Sequence, residues 1–367
     1  MKVELPLSLK YRPKKLSEVI GQPIVTRAFK NAFKSNTLHH AYILAGSHGS
    51  GKTTVARIIA AMENCKKGGQ DPCGQCSNCK EIFEGKSYEV IEMDAGSGGG
   101  VESIRELHKG LSQCPVECKT KYVILDEAHS LTPHAAEASL KMIEEPPPFV
   151  RFILATTEPQ AFKPTILSRC ILWKFNKVPW PDIFAHLKNI AQKEKLDCEE
   201  KALQTVAKHA KGSVRDSLQF LQTIMNYAGD EKITLSTAIE ALGAIDDILY
   251  FSLINGIIKS DYMKCFQIIN EIFKDGKDAK IIFDGVYNHL NNLLLIRTCK
   301  DSLDNFDFTQ EEIKQFKHQN SNIKNGSLIL KMQGFLSKIA ISLSYSINPE
   351  QLFNKFAVES SLLFKNK

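Results

Sequence analysis

The sequence predicts an N-terminal α/β domain on an open, parallel five-stranded sheet with helices on both faces, followed by a small and then a larger all-helical domain. Three observations predict it. Five short apolar runs alternate with amphipathic helical stretches through the first half of the chain, the pattern of strands joined by crossover helices. The strand signals stop at Pro179 and Pro181. Beyond those prolines only helical periodicity remains.

The strands are read at Ala41–Ala45, Tyr88–Glu92, Tyr122–Leu125, Phe152–Ala155 and Ile171–Phe175. Each is rich in branched or aromatic side chains, which suit a sheet buried on both faces. Helical periods then run over Asp182–Lys195, Glu199–Lys211, Ser213–Tyr227 and Leu235–Leu242, with Gly212 and Gly229 as helix ends. After Gly243 come Ile248–Ile258 and Tyr262–Phe273, and Asp275-Gly276 and Asn325-Gly326 supply turns. The expected domains are 1–178, 179–242 and 243–367.

A chain of 367 residues with 43% hydrophobic and 24% charged residues falls in the globular range and can bury several cores. No run approaches the roughly 18 apolar residues of a membrane span. Glu4 and Pro6 interrupt the N-terminus, which argues against a secretory signal. A cytoplasmic protein without a membrane partner is expected. The net charge of +6 is compatible with phosphate-bearing partners but does not identify them.

The strongest motif is Gly46-Ser47-His48-Gly49-Ser50-Gly51-Lys52-Thr53, after a strand and before a helix read from Thr54 to Met62. Glycines let backbone N–H groups curl around phosphate oxygens, and the helix N-terminus favours negative charge. Lys52 supplies a charge for the β- and γ-phosphates, Thr53 a hydroxyl for Mg²⁺. The strand Tyr122–Leu125 delivers Asp126 and Glu127 at its C-terminal end, where ligands collect in open α/β sheets. Asp126 is placed to hold Mg²⁺ and Glu127 to act as general base toward water. Acidic pairs after strands also arise as helix caps, so the pair gains its meaning from the phosphate loop. Thr157 suits orientation of the lytic water, or is an ordinary loop threonine. Arg169, just before the last strand, is either a solvated surface charge or a group that reaches a neighbouring subunit's γ-phosphate. Arg215 opens a helix of the second domain, from which it is placed to reach back to the nucleotide.

Of the ten cysteines, Cys65, Cys73, Cys76 and Cys79 follow a C-x₇-C-x₂-C-x₂-C spacing. Two C-x₂-C steps bring thiolates within reach of one metal ion, and Pro72, Gly74 and Asn78 provide the turns. With no histidine nearby, four thiolates leave no open position, so the site is structural. Zinc is expected, and an iron–sulfur cluster is the alternative.

In this order the motifs resemble the AAA+ clamp-loader ATPases, among them the gamma/tau subunits of bacterial DNA polymerase III. The resemblance runs from Lys10-Tyr11-Arg12-Pro13 and Val19-Ile20-Gly21-Gln22 through the phosphate loop, the cysteine insertion at 65–79, Met93-Asp94-Ala95 and Leu125-Asp126-Glu127-Ala128-His129. It continues over Leu140–Pro147, Ala155–Pro159 and Ser168-Arg169-Cys170, ending at Gly212–Asp216. It implies that Tyr11, Arg12, Pro13 and Ile20 surround the adenine, and that Gly46, Ser47, His48, Gly49, Ser50, Gly51, Lys52, Thr53 and Thr54 bind the phosphates of ATP. It further implies that Thr157 is the sensor-1 residue, Arg169 the arginine finger and Arg215 the sensor-2 arginine. The helical domain at 179–242 becomes a lid, and the one at 243–367 a collar. Partners would be delta and delta-prime subunits, further copies of the chain, the sliding clamp and primer-template DNA. The cofactors would be ATP, Mg²⁺ and Zn²⁺. An ATP-binding scaffold without turnover is the second reading. In Asp94–Val101, glycines stand where some relatives carry a basic residue near template DNA, so backbone N–H groups and Arg105 are expected to meet phosphates there. The chain is also expected to end after the collar, without the linker and tail of the longer tau form.

Overall fold

A computed structural model describes residues 5–98, 100–274, 276–299, 308–343 and 348–365. Gly99 of the glycine-rich stretch and Asp275 of the expected turn lie outside the described residues. The chain forms two compact units, Met1–Thr234 and Leu235–Lys367.

The first unit opens with α1 (Leu7–Lys10) and α2 (Pro23–Lys34), then β1 (Ala41–Gly46), α3 (Lys52–Asn64) and α4 (Ser77–Glu84). It continues with β2 (Val90–Asp94), α5 (Ala95–Gly98), α6 (Val101–Leu111), β3 (Lys121–Asp126) and α7 (Pro133–Glu144). Then come β4 (Val150–Thr156), α8 (Pro164–Leu167), β5 (Ile171–Phe175), α9 (Trp180–Lys193), α10 (Glu200–His209) and α11 (Val214–Ala228). The second unit holds α12 (Leu235–Leu242), α13 (Asp247–Lys259), α14 (Tyr262–Lys274), α15 (Ala279–Thr298), α16 (Gln310–Ser321), α17 (Ser327–Leu343) and α18 (Pro349–Lys365).

All five expected strands form, and they pair in parallel in the order β2-β3-β4-β1-β5. Side chains alternate between two cores, as a two-residue period requires. Tyr42 and Leu44 join Phe29, Val55, Ile58 and Ile59 under α2 and α3. Ala41, Ile43 and Ala45 join Ile104, Leu107 and Ile143 under α6 and α7. Most element ends lie one or two residues from the sequence reading, and two of the differences have a local reason. The strand expected from Tyr88 starts at Val90, and Tyr88 is 95% exposed; β2 is an edge strand and Tyr88 lies beyond its pairing with β3. Pro181, read as part of a break, lies inside the first turn of α9, where a missing N–H costs no helical hydrogen bond.

Behind the sheet, Arg151 on β4 donates from Nε and Nη2 to the Glu63 carboxylate, both at 2.7 Å, and from Nη1 to the Leu38 carbonyl at 3.0 Å. Tyr122 on β3 donates its hydroxyl to Glu63 as well. The carboxylate is thereby held below its ordinary range despite burial, which pushes the other way. This bidentate pair ties the end of α3 to two central strands.

The second unit is all-helical, around Leu253, Ile254, Val286, Leu290, Met332, Leu336 and Phe356. Its core contains a polar chain: His289 Nε2 lies 2.6 Å from Gln319 Oε1, and Gln319 Nε2 donates to the Phe251 carbonyl and to Asn255 Oδ1. Because the Gln319 amide nitrogen is already donating, its oxygen accepts, and the His289 proton sits on Nε2. Burial pushes His289 down to about 4, against the Gln319 hydrogen bond. A depressed folded-state value means that the unfolded chain binds the extra proton between pH 6.5 and 4. The contribution is complete above about pH 6.5 and drains as pH falls toward 4, by about 3 kcal/mol. Hydrogen exchange of the α15 amides in the full chain, corrected for intrinsic rates, should show this loss of protection; equal protection at both ends of that window would contradict it. Among the described residues, no single helix is long and apolar enough to cross a membrane.

Candidate active site

The sheet order sets the site. β4 lies between β1 and β3, so its C-terminal end sits between the loop that leaves β1 and the acidic pair that ends β3. All three meet at the carboxyl edge of the sheet, where parallel strands leave a crevice. A cleft of about 690 Å³ opens there, lined by 48–54 of the glycine-rich loop, by Asp126 and Glu127, by Tyr11, Arg12, Pro13, Val19 and Ile20, and by one face of α11.

The loop follows from its glycines. Gly51 has φ of 98° at the N-cap of α3, a conformation that an L side chain rarely adopts. Gly49 has φ of 68°, and a Cβ there would meet Ser213 Oγ at 1.9 Å and Arg215 Cβ at 3.2 Å. The start of α11 therefore abuts the loop, and Val214 N–H donates to the Gly49 carbonyl at 3.2 Å. Lys52 is 5% exposed and donates from Nζ to the carbonyls of Gly46 (2.8 Å) and Ser47 (3.0 Å). Burial pulls its ammonium below the ordinary value, while Glu127 and Asp126 oppose that. A cation held by two neutral carbonyls gains from an added anion, so the pocket favours phosphate.

Thr53 Oγ1 donates to Asp126 Oδ2 at 2.8 Å. That spacing matches the edge of an oxygen octahedron around Mg²⁺, about 3 Å for ligands at about 2.1 Å. Glu127 leaves the strand in the left-handed region, φ 46°. Its Oε2 accepts from Thr157 Oγ1 at 3.4 Å, and His48 Nδ1 and His129 Nδ1 approach the carboxylate at 3.4 and 3.5 Å. His129 also contacts the buried Thr156 hydroxyl at 3.1 Å. Thr157 and Glu127, 30 residues apart, are thus brought together.

The N-terminal segment closes the cleft. Tyr11 gives its hydroxyl to Glu194 at the end of α9, and Lys10 pairs with the same carboxylate at 2.7 Å. Burial and Glu194 push the Tyr11 phenol up to about 12. Arg12 has a guanidinium held below its ordinary value by burial and by Arg57, with Arg215 adding to the repulsion and Glu92 and Asp126 opposing it. Arg215 lines the cleft, whereas Arg169 does not. Arg169 instead pairs with Glu144, Nε to Oε1 at 3.0 Å.

Several lining residues escaped the sequence reading: Leu7, Glu92, Leu218, Gln219, Gln222 and Thr223. The last four share with Arg215 a three-to-four residue spacing on α11, a helical-face signal that was available. Glu92 has no such signal; it accepts from Arg57 Nε and Nη2 at 2.6 and 2.9 Å across 35 residues.

Cys65, Cys73, Cys76 and Cys79 place their Sγ atoms within 4.8 Å of one another and can hold a metal ion. Cys73 and Cys79 stand 3.9 Å apart, near the roughly 3.8 Å edge of a tetrahedron with metal–sulfur bonds of about 2.3 Å. Gln75 and Cys76 direct backbone N–H groups at Cys73 Sγ (3.4 and 3.3 Å), and these pull that thiol down to about 6. Donors aimed at sulfur favour the thiolate that a metal needs. Asn78 and Asn64 anchor the insertion: Asn78 Nδ2 donates to the Asn64 carbonyl at 3.0 Å, and Asn64 Oδ1 accepts from the N–H groups of Lys119 and Thr120.

Similarity to known proteins extends over nearly the whole chain. Residues 21–179 match the family described as the DNA polymerase III delta subunit, and residues 182–228 the clamp loader subunit ATPase lid domain. Residues 233–352 match domain III of the DNA polymerase III subunits gamma and tau. The chain is 34% identical over 365 residues to DNA polymerase III subunit gamma of Buchnera aphidicola from Acyrthosiphon pisum, covering 97% of each. It is 34% identical over 300 residues to the tau subunit of Escherichia coli, covering 82% of this chain and 46% of that one. Among solved structures, a variant of RuvB from Thermotoga maritima superposes with a TM-score of 0.50 at 20% identity, over 68% of this chain and 80% of that one. That likeness is one of fold.

Proposed function

The chain belongs to the gamma/tau subunit family of bacterial DNA polymerase III, and from that membership we propose that it is an ATP-driven motor of the clamp loader, binding and hydrolysing ATP to place the sliding clamp on primed DNA. The observation that supports this most is the convergence of Lys52, the Thr53–Asp126 pair and Glu127 on one cleft, with Thr157 held against Glu127 from outside its lining. The loop around Lys52 holds the β- and γ-phosphates, and Tyr11, Pro13 and Ile20 cover the base. Thr53 and Asp126 would hold Mg²⁺, which supplies charge neutralisation at the phosphate oxygens. Glu127 takes a proton from water as its oxygen bonds to the γ-phosphorus and the bond to the β–γ bridging oxygen breaks, leaving ADP and phosphate. Thr157 orients that water. Arg215 reads the phosphates from the lid, and Arg169 acts on the ATP of a neighbouring copy. The proposed partners are delta and delta-prime subunits, further copies of this chain, the clamp and primer-template DNA, in the cytoplasm.

The test is ATP turnover of the chain alone and after assembly with delta, delta-prime, clamp and primed DNA. Marked stimulation is expected. Unchanged turnover in the full mixture would favour an ATP-binding scaffold instead.

The four thiols are proposed to hold zinc in a purely structural role. One zinc per chain is expected, and Cys79→Ser should release it and raise amide exchange across residues 65–79, because binding at such sites is folding free energy. Full zinc content in that variant, or the visible absorbance of an iron–sulfur cluster, would overturn the assignment.

A further inference from the structure

Arg169 is half-buried two residues past α8 and does not line its own cleft, yet it is not a free side chain. Its Nη1 donates to the Thr165 carbonyl at 2.8 Å and to Ser168 Oγ at 3.2 Å. Its Nε stands 3.0 Å from Oε1 of Glu144, the last residue of α7. Both side chains remain 38% exposed. A cation beside the C-terminus of a helix is further favoured by the carbonyl ends there.

An ion pair this exposed adds little to stability. Its effect lies elsewhere. An exposed arginine samples many rotamers, and a group that must meet a phosphate on another molecule loses that freedom at the moment of reaction. Three anchors from two separate elements, the turn around α8 and the end of α7, restrict the guanidinium beforehand while leaving a face open to solvent. Thr165 and Ser168 are neighbours of Arg169 in the chain and anchor only one nitrogen. Glu144, 25 residues away, fixes the direction of the fork.

We propose that Glu144 is a positioning residue for trans hydrolysis: its carboxylate orients the Arg169 guanidinium toward the γ-phosphate bound by a neighbouring copy. This rests on the reading that Arg169 acts in trans. Glu144, like Arg169, does not line the cleft of its own chain.

The experiment compares wild type, Glu144→Ala, Glu144→Gln and Arg169→Ala, each assembled with delta, delta-prime, clamp and primed DNA. It records kcat, KM for ATP, and thermal unfolding of the isolated chain. Glu144→Ala is expected to lower kcat about tenfold, with KM and unfolding temperature unchanged. Glu144→Gln, which keeps an acceptor, should recover part of the loss. If Arg169→Ala lowers kcat while Glu144→Ala does not, the positioning role falls and the trans reading stands. If Arg169→Ala is itself without effect, the trans reading falls first. A faster Glu144→Ala would show that the carboxylate restrains the arginine rather than aiming it, and a lowered unfolding temperature would make its role structural; either overturns the proposal.

Discussion

Glu127→Gln is expected to lower ATP turnover of the assembled complex by about 10²–10³-fold while nucleotide binding stays at the wild-type level. The substitution keeps the size and shape of the side chain and still offers an oxygen to Thr157 Oγ1, which approaches Oε2 at 3.4 Å. It removes the capacity to accept a proton. The backbone at Glu127 holds a left-handed conformation, and glutamine, with the same Cβ and chain length as glutamate, meets that turn on the same terms. A general base contributes through the chemical step alone, so the loss should fall on kcat with KM for ATP nearly constant. Turnover equal to wild type would remove Glu127 from the role of base. A parallel rise in KM would instead place it in ground-state binding.

The second large effect is expected at Arg169. Arg169→Ala should reduce turnover of the assembled complex by about 10³-fold, the scale of arginine fingers supplied in trans. Binding of ATP to the isolated chain should not change, because Arg169 lies outside its own cleft. Mixing provides the sharper form of the test. Lys52→Ala chains, which keep the finger but lose the phosphate grip, should restore part of the activity of Arg169→Ala chains when the two share one assembly. Neither variant should act alone. Loss of ATP binding in Arg169→Ala would contradict a trans role.

What could be read from the sequence was local. The phosphate loop, the Asp126–Glu127 pair and the four cysteines each depend on residues a few positions apart, where spacing alone constrains geometry. Gly49 illustrates the limit of that reading: its place in the motif was clear, but not that its missing Cβ leaves room for Ser213 and Arg215 of the lid, 164 and 166 positions later. Thr157 was placed by its position after a strand, and the contact with Glu127 depends on β4 inserting between β1 and β3, an order that no short pattern encodes. The pairs formed by Arg57 with Glu92, by Arg151 with Glu63 and by Arg169 with Glu144 join charges 25 to 88 residues apart. Each side of such a pair looks like an ordinary surface charge until the sheet brings them together. The α11 face of Leu218, Gln219, Gln222 and Thr223 lay within reach of periodicity, since it continues the helical register of Arg215. Neutral side chains carry no charge or motif signal of their own, and only their lining of the cleft marks them.

The most direct test is equilibrium binding of a fluorescent ATP analogue to the purified chain and to Lys52→Ala, with and without magnesium. Saturable binding that depends on magnesium and disappears in Lys52→Ala is the predicted result. A chain that retains no nucleotide at millimolar supply, or binds it equally well without Lys52, would contradict the placement of the triphosphate at the carboxyl edge of the sheet and every role assigned around it.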